Sequence, residues 1–273
     1  MKTKPILYES HMHTPLCQHA RGLPQEYAAV AEKRGLKGII VTCHNPVENW
    51  GPNVRMTIQQ FEDYIDMVDL ARREWEGRID IRLGLESDYA PGMESWLEDL
   101  HDRAELHHVL GSVHPHLVEY QDRYFTGNIR DFQKTYFHHL ALAAETGLFD
   151  TLSHPDLVKN VAPNDWDLEP LKDHILSVLD RIAKTETAME LNTSGLYKSI
   201  PEMNPGLFML EEMKKRQIPV VIGADAHDPT RVGDQFEKGL KILAQVGYQQ
   251  VSIFLDRQRK DIKLDQINLN LVA

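Results

Sequence analysis

The sequence predicts an α/β protein whose parallel strands close into a barrel. Short apolar runs alternate with amphipathic stretches of roughly 10–18 residues, which is typical of βαβ units and a parallel sheet. The alternation repeats about seven or eight times, with no linker or low-complexity tract between the units. This continuity favours a closed or nearly closed barrel over an open sheet.

The size of the chain fits one such barrel. Its 273 residues, 42% of them hydrophobic, suffice for a large buried core. By length alone, one α/β barrel of ~250 residues is as plausible as two domains. Because the alternation is unbroken, we expect a single domain over residues 1–273.

The predicted elements follow one another in a regular order. The strands are, in chain order, "PILYESHMH", "GIIVTCH", "IDIRLGLE", "HHVLGSVH", "FDTLSH", "TAMELN", "IPVVIGAD" and "QQVSIFLD". The helices between them are predicted at residues 24–35, 57–75, 93–104, 130–146, 169–184, 205–216 and 233–246. Pro24 suits the first turn of the first helix, and Gly35 suits its end. The segment 115–129 is the least regular, and we expect a loop over one end of the barrel.

The charge balance excludes some partners. The chain has 41 acidic and 30 basic residues and a formal net charge of −11. This argues against a nucleic-acid backbone as the main partner, because such binding needs a positive surface. A small anionic substrate stays open, since metal ions can supply local positive charge.

The sequence also predicts where the protein works. It contains no run of about 18 apolar residues, so we expect no membrane partner. It has no recognisable signal peptide and only two cysteines, Cys17 and Cys43, which together favour a cytoplasmic location.

Histidines and acids collect where the predicted strands end. Nine of them lie at or just beyond strand ends, or in the loop after the first strand: His11, His13, His19, His44, Glu86, His114, His154, Asp225 and His227. His11 and His13 are two residues apart on a strand, so both side chains project to one face. The same holds for Asp225 and His227. In a parallel barrel the carboxyl ends of the strands gather at one mouth, where active sites lie.

Taken one at a time, these residues are ordinary. A single histidine at a strand end is more often structural or on the surface, and Asp225 alone would suit a helix N-cap. Their joint occurrence at six of seven consecutive strand ends predicts a metal cluster instead. Imidazoles and carboxylates suit zinc, iron and manganese, and an ion with an open position takes about three protein ligands. Nine groups therefore predict two or three ions, with Glu86 able to bridge two of them.

Such a cluster indicates hydrolysis. Metal ions a few ångströms apart share a hydroxide and stabilise the attacking and leaving oxygens of phosphoryl or acyl transfer. The sequence has no P-loop, no GxSxG elbow and no CxxC pair, so these competing types of site are absent.

At this point the chain resembles the PHP superfamily, named for polymerase and histidinol phosphatase. The resemblance runs through "SHMHTPLCQHA", "TCHNP", "GLESDY", "GSVHPH", "SHPDLV", "ELNTSGLYK" and "IGADAHDPTRVGD", and so covers about residues 8–235. "HTPLCQHA" and "LNTSGLY" are most similar to the stand-alone histidinol-phosphatase branch. The ordered set of motifs is far more specific than one HxH pair.

The resemblance implies a distorted (β/α)7 barrel of TIM type that holds three metal ions. One ion would be bound by His11, His13, Glu86 and Asp225. A second would share Glu86 and take His114 and His154. The third would take His19, His44 and His227.

The reaction that the resemblance implies is the hydrolysis of a phosphate monoester by a metal-bridging hydroxide that attacks phosphorus in line. Asp225 or His227 would handle the proton. The expected substrate is L-histidinol phosphate, an intermediate of histidine biosynthesis. Three alternatives stay open: a related phosphoesterase for nucleotides or other small phosphate esters, a degenerate scaffold module, and a metal-dependent amidohydrolase. The scaffold would have lost ligands, and none is lost here.

One residue departs from the pattern of the family, which often has an acid before the histidine of the second strand. Here that residue is Cys43, which by strand parity points away from His44. We expect Cys43 to lie in the core or behind the ligands, where it would tune the metal site.

Candidate substrate contacts lie just past the strand ends. The candidates for phosphate are Lys159, Lys198, Arg231 and His116. A negative group would suit the imidazole of histidinol, and the irregular loop offers Glu119 and Asp122.

Overall fold

A parallel sheet of seven strands forms the centre of the molecule, for which a computed structural model describes residues 5–269. The strands pair in chain order. They are β1 (Tyr8–Glu9), β2 (Gly38–Val41), β3 (Asp80–Asp88), β4 (His108–Ser112), β5 (Thr151–Leu152), β6 (Ala188–Asn192) and β7 (Val220–Gly223). A bridge between Met12 and Ala226 joins the first strand to the last. The predicted distorted (β/α)7 barrel is thus confirmed.

Helices connect the strands and bury one face each. They are α1 (Pro24–Arg34), α2 (Gln60–Glu74), α3 (Glu94–His101), α4 (Val118–Tyr124), α5 (Ile129–Thr146), α6 (Lys172–Ile182), α7 (Leu207–Lys215) and α8 (Phe236–Val246). In α1, Pro24 occupies the first turn, and Gly35 ends the helix in the left-handed conformation at φ 73°. None of the helices within residues 5–269 is long and apolar enough to cross a membrane.

Two predicted elements differ from the structure. The segment expected as a loop, 115–129, contains the short helix α4, which packs through the buried Tyr120. The last predicted strand, β8 (Gln250–Leu255), does not join the parallel sheet. It pairs antiparallel with β9 (Gln258–Lys263).

The β8–β9 hairpin covers the amino end of the barrel. Phe254 stacks on His108 at the start of β4, with ring centroids 5.0 Å apart. Arg257, in the turn of the hairpin, pairs with Asp150 at 2.6 Å, just before β5. The carboxyl ends of the strands therefore face the opposite, open side.

Candidate metal centre

The nine predicted ligands come together at the carboxyl end of the barrel. Most of them follow a strand within a few residues, whereas Glu86 lies inside β3 and His19 follows a short 3₁₀ turn. Two of the predicted ligands adopt the left-handed backbone conformation, His154 at φ 26° and Asp225 at φ 50°. Residues other than glycine rarely adopt it, and such strain is concentrated at functional sites.

Glu86 lies at the middle of the cluster and is fully buried. Five imidazoles surround its carboxylate. Oε2 is 3.4 Å from His11 Nε2, 3.5 Å from His13 Nε2 and 2.8 Å from His44 Nδ1, whereas Oε1 is 2.9 Å from His154 Nε2 and 3.4 Å from His114 Nε2. One carboxylate therefore contacts imidazoles on both sides, as a bridging ligand must.

Asp225 forms a second wall of the cluster. Its Oδ1 is 3.2 Å from His13 Nε2 and 3.5 Å from His11 Nε2. Its Oδ2 accepts a hydrogen bond from Ser194 Oγ at 3.0 Å and lies 3.5 Å from Lys198 Nζ. Closure of the barrel thus brings the first and last strands together at this carboxylate.

His19 and His227 form the outer part of the cluster. Their Nε2 atoms lie 2.9 Å apart, and the ring of His227 stacks on that of His13 with centroids 3.9 Å apart. His19 is oriented by its Nδ1, which donates to the carbonyl oxygen of Cys17 at 2.6 Å. Two imidazole nitrogens at this separation need a shared proton or a cation between them.

The donor atoms fit a group of bound metal ions. His11 Nε2, His44 Nδ1 and Glu86 Oε2 are buried and close together, but none of them makes a hydrogen bond of acceptable geometry, although buried polar atoms are nearly always satisfied. Several sets of potential ligand atoms lie within 4.8 Å of one another, among them His11 with His13 and Glu86, His11 with His154 and Asp225, and His13 with His44 and His227. The ligand set of each ion stays a prediction.

The electrostatics of the cluster favour positive charge. Burial opposes ionisation of Glu86, but His44 and His11 hold its pKa well below the usual range. Burial likewise opposes ionisation of Asp225, but His11 and Lys198 hold its pKa well below the usual range. Both carboxylates are therefore charged at neutral pH and attract cations.

Glu190 lies on β6 and was not among the predicted site residues. Its carboxylate supports two of the predicted ligands, His11 and His154. Its Oε1 accepts from His11 Nδ1 at 2.7 Å, and its Oε2 accepts from the backbone N–H of His154 at 2.9 Å. Gly223 on β7 makes room for this contact, since a Cβ there would collide with the Glu190 carboxylate. An acid within the fully buried strand "AMELN" is the signal that could have identified it.

Asp88 and Arg55 support a third ligand and were also missed. Asp88 accepts a hydrogen bond from His114 Nδ1. The guanidinium of Arg55 clamps the same carboxylate, with Nε 2.5 Å from Oδ2 and Nη2 2.9 Å from Oδ1. Outer carboxylates of this kind fix the tautomer and orientation of metal-binding histidines.

A cavity of about 1040 Å³ opens above the cluster. Three of the predicted substrate contacts line it, namely His116, Lys198 and Arg231. Glu119 lines it as well, and the guanidinium of Arg231 lies 3.7 Å above the ring of Tyr197 at its edge.

Lys159 has a different environment. Its ammonium group is fully buried and pairs with Asp156 and Glu202, at 2.9 Å each. It is absent from the lining of the cavity. The expected phosphate contact of Lys159 does not fit this geometry, because its charge is already matched by two carboxylates. Strand-end position alone could not reveal these partners.

Comparisons with known proteins agree with this geometry. The PHP domain model matches residues 9–194. A probable histidinol-phosphatase of Deinococcus radiodurans is 37% identical over 93% of this chain and 98% of its own length. A histidinol-phosphatase of Bacillus subtilis is 27% identical over 85% of this chain and 98% of its own length. The structure of the Lactococcus lactis histidinol phosphate phosphatase, complexed with zinc, L-histidinol and phosphate, superposes with a TM-score of 0.77 at 18% identity, covering 93% of this chain and 98% of that one. The chain belongs to the PHP family.

Proposed function

We propose that this protein is a metal-dependent phosphomonoesterase that hydrolyses L-histidinol phosphate to L-histidinol and phosphate. One observation carries the proposal: seven of the nine potential metal ligands line a cavity whose wall also bears the cationic side chains of Lys198 and Arg231, and the other two, His11 and His13, contact Glu86 beneath it. The relatives that cover nearly all of the chain are named for this reaction, which places the enzyme in histidine biosynthesis.

We propose two or three divalent or trivalent ions, with zinc, manganese and iron as the candidates. Bound ions would neutralise the phosphate oxygens and lower the pKa of the attacking water. The clusters of donor atoms support their presence. Zinc is favoured by the Lactococcus lactis complex.

The residues of the chain position the substrate. Lys198 Nζ lies 2.9 Å from Ser194 Oγ and 3.5 Å from Asp225 Oδ2, so its charge is held next to the cluster, where it can bind a phosphate oxygen. Arg231 faces the same cavity from its edge, and His116 lines it too. The positive charges of Lys198 and Arg231 offset the negative charge of the phosphate in an otherwise acidic protein, whereas His116, whose pKa burial lowers to about 3, is a neutral hydrogen-bonding group.

A proton must leave the attacking water, and one must reach the alcohol oxygen when the ester bond breaks. Asp225 and His227 both line the cavity and lie 3.3 Å apart at Oδ1 and Nδ1. We assign this proton transfer to them, because a carboxylate and an imidazole side by side can accept and return a proton.

A cytoplasmic location, predicted from the sequence, stays a prediction.

The direct test combines metal analysis with a substrate panel. We expect the purified, metal-replete protein to hold at least two ions per chain and to release phosphate from histidinol phosphate faster than from nucleotides. Fewer than two ions per chain would contradict the cluster. A full complement of metal without turnover of histidinol phosphate would instead assign the chain to another phosphoesterase activity.

Variants of two ligands test the site itself. We expect His13→Ala and Asp225→Asn each to lower kcat by at least ~10²-fold, because the reaction depends on charge held at the metal centre. His138→Ala is the matched control, since His138 is an exposed histidine on α5. Near-normal turnover in either ligand variant would refute the assignment of that residue.

A further inference from the structure

The metal centre adjoins a cluster of buried sulfur atoms. Cys17 and Cys43 are both fully buried and are not joined by a disulfide. Their sulfur atoms and a ring nitrogen of His13 all lie within 4.8 Å of one another. Cys43 follows β2, and Cys17 ends the 3₁₀ turn after β1, so neighbouring segments of the barrel supply the pair.

The backbone and side chain of Thr14 hold Cys43 in place. The Thr14 N–H donates to Cys43 Sγ at 3.4 Å, and the Thr14 hydroxyl donates to the same atom at 3.2 Å. Thr14 is itself fully buried and directly follows His13. Two donors that converge on one sulfur make it the acceptor of a local hydrogen-bond network rather than an inert apolar group.

His13 is one of two predicted ligands, with His154, whose Nδ1 lacks an oxygen acceptor. Its Nε2 faces Asp225 and Glu86, at 3.2 and 3.5 Å. Its Nδ1 is buried and has no hydrogen-bond partner. A metal-binding histidine almost always donates its second N–H to an acceptor, which fixes the tautomer and orients the ring.

Other ligands in the centre have an oxygen in this role. His11 Nδ1 donates to Glu190, His114 Nδ1 to Asp88, and His19 Nδ1 to the carbonyl of Cys17. Since Nε2 of His13 is turned toward the carboxylates, Nδ1 is the ring nitrogen left without a partner. The sulfur of Cys43, held by Thr14, lies within 4.8 Å of a ring nitrogen of His13.

We propose that Cys43 is a positioning residue, whose sulfur accepts the Nδ1 proton of His13 in the metal-loaded protein and thereby directs the Nε2 lone pair of His13 toward the metal ions. Cys17 packs beside this sulfur and shields it from water. The inference rests on the proposed metal centre but not on the identity of the substrate. Its readout is metal retention, which can be measured with no substrate present.

The test compares alanine substitutions at the two cysteines. We expect Cys43→Ala to weaken metal retention by the holoenzyme about 10–100-fold in a chelator competition, and to lower kcat while KM changes little. Cys17→Ala also removes one sulfur atom from the cluster but leaves the proposed acceptor, Cys43 Sγ, in place. We therefore expect this variant to retain metal about as well as the wild type. Cys43→Asp supplies an oxygen acceptor and should restore retention to within about threefold of the wild type.

Two results would overturn the proposal. One is that Cys43→Ala retains metal as tightly as the wild type. The other is that Cys17→Ala loses metal as readily as Cys43→Ala, because the effect would then come from packing alone. If Cys43→Ala does not fold, Cys43→Ser takes its place. The serine hydroxyl is shorter than the thiol and reaches the His13 ring less well, so we expect Cys43→Ser to retain metal less well than Cys43→Asp.

Discussion

Glu190 shows how a single buried carboxylate can hold two ligands of the metal centre. One oxygen orients the ring of His11, and the other accepts the backbone N–H of His154 and the side-chain amide of Asn192, both at 2.9 Å. Burial opposes its ionisation, but His11 keeps the pKa of Glu190 below its ordinary value. The residue is thus an anion whose acceptor sites all face hydrogen-bond donors.

We expect Glu190→Gln to lower metal affinity and kcat by about 10–100-fold. The amide keeps the shape of the side chain, but its NH₂ group would face either the ring N–H of His11 or the N–H groups of His154 and Asn192, so one hydrogen bond would be replaced by two opposed donors. Metal content after dialysis against a weak chelator measures the first effect, and steady-state kinetics measures the second. Glu186→Gln, an exposed change just before β6, is the control. Equal metal content in both variants would remove Glu190 from this role.

Individual residues were predictable where their chemistry and strand period agreed. His11, His13, Asp225 and His227 could be selected because histidine and acid at spacing two share one face. Asp88 could not, and Glu190 could be recognised only as an acid in a buried strand and not by its partners, because a supporting carboxylate depends on the register of a strand with its neighbour. Those contacts join residues 26 and 179 positions apart in the chain.

At the level of elements, the join between β1 and β7 has the fewest paired residues of any in the barrel within residues 5–269. The two strands meet only through the bridge between Met12 and Ala226 within the described chain. Glu9 reinforces the join with its buried carboxylate. It accepts the backbone N–H groups of His11 at 3.0 Å, Ala224 at 3.2 Å and Gly233 at 2.9 Å.

We expect Glu9→Gln to destabilise the protein by about 1–3 kcal/mol, the usual cost of an unsatisfied buried polar group. A glutamine amide would point its N–H groups at one or more of these backbone donors. Urea unfolding of the metal-loaded protein measures the change, with the exposed Glu48→Gln as control. Unchanged stability would show that the join does not depend on this carboxylate.

Helix α4 forms part of the mouth of the cavity. It has only seven residues, too few to reveal a helical period among the neighbouring turns, and for this reason the sequence favoured a loop. The helix separates the two acids considered for the imidazole of histidinol. Glu119 lines the cavity, whereas Asp122 is exposed and is absent from the lining.

We expect Glu119→Gln to raise KM for histidinol phosphate about tenfold, since a hydrogen bond to a charged group contributes roughly 1.5–3 kcal/mol. The KM for an aryl phosphate should change little, because its aryl leaving group carries no positive charge for Glu119 to bind. Asp122→Asn, on the same helix, serves as the matched control. A similar rise in KM for both substrates would mean that Glu119 does not recognise the leaving group.

For the whole molecule, the alternation of strands and helices was enough to predict the barrel, because each βαβ unit must bury its apolar faces in the same way. The β8–β9 hairpin was not predicted. The run "QQVSIFLD" is as apolar as a barrel strand, and the turn that follows it lacks the usual Asn-Gly or Asp-Gly signal. Asp256 and Arg257 nonetheless adopt the left-handed turn geometry, at φ 55° and 60°.

The hairpin has a kinetic consequence, because it closes the amino end of the barrel and the cavity opens at the other. Phosphate would bind at the metal centre on the floor of the cavity, with the alcohol between it and the mouth near Glu119. Products then leave in a fixed order, the alcohol before the phosphate. We expect phosphate to inhibit competitively against the substrate and histidinol to inhibit noncompetitively in initial-rate measurements. Competitive inhibition by histidinol would indicate that phosphate leaves first.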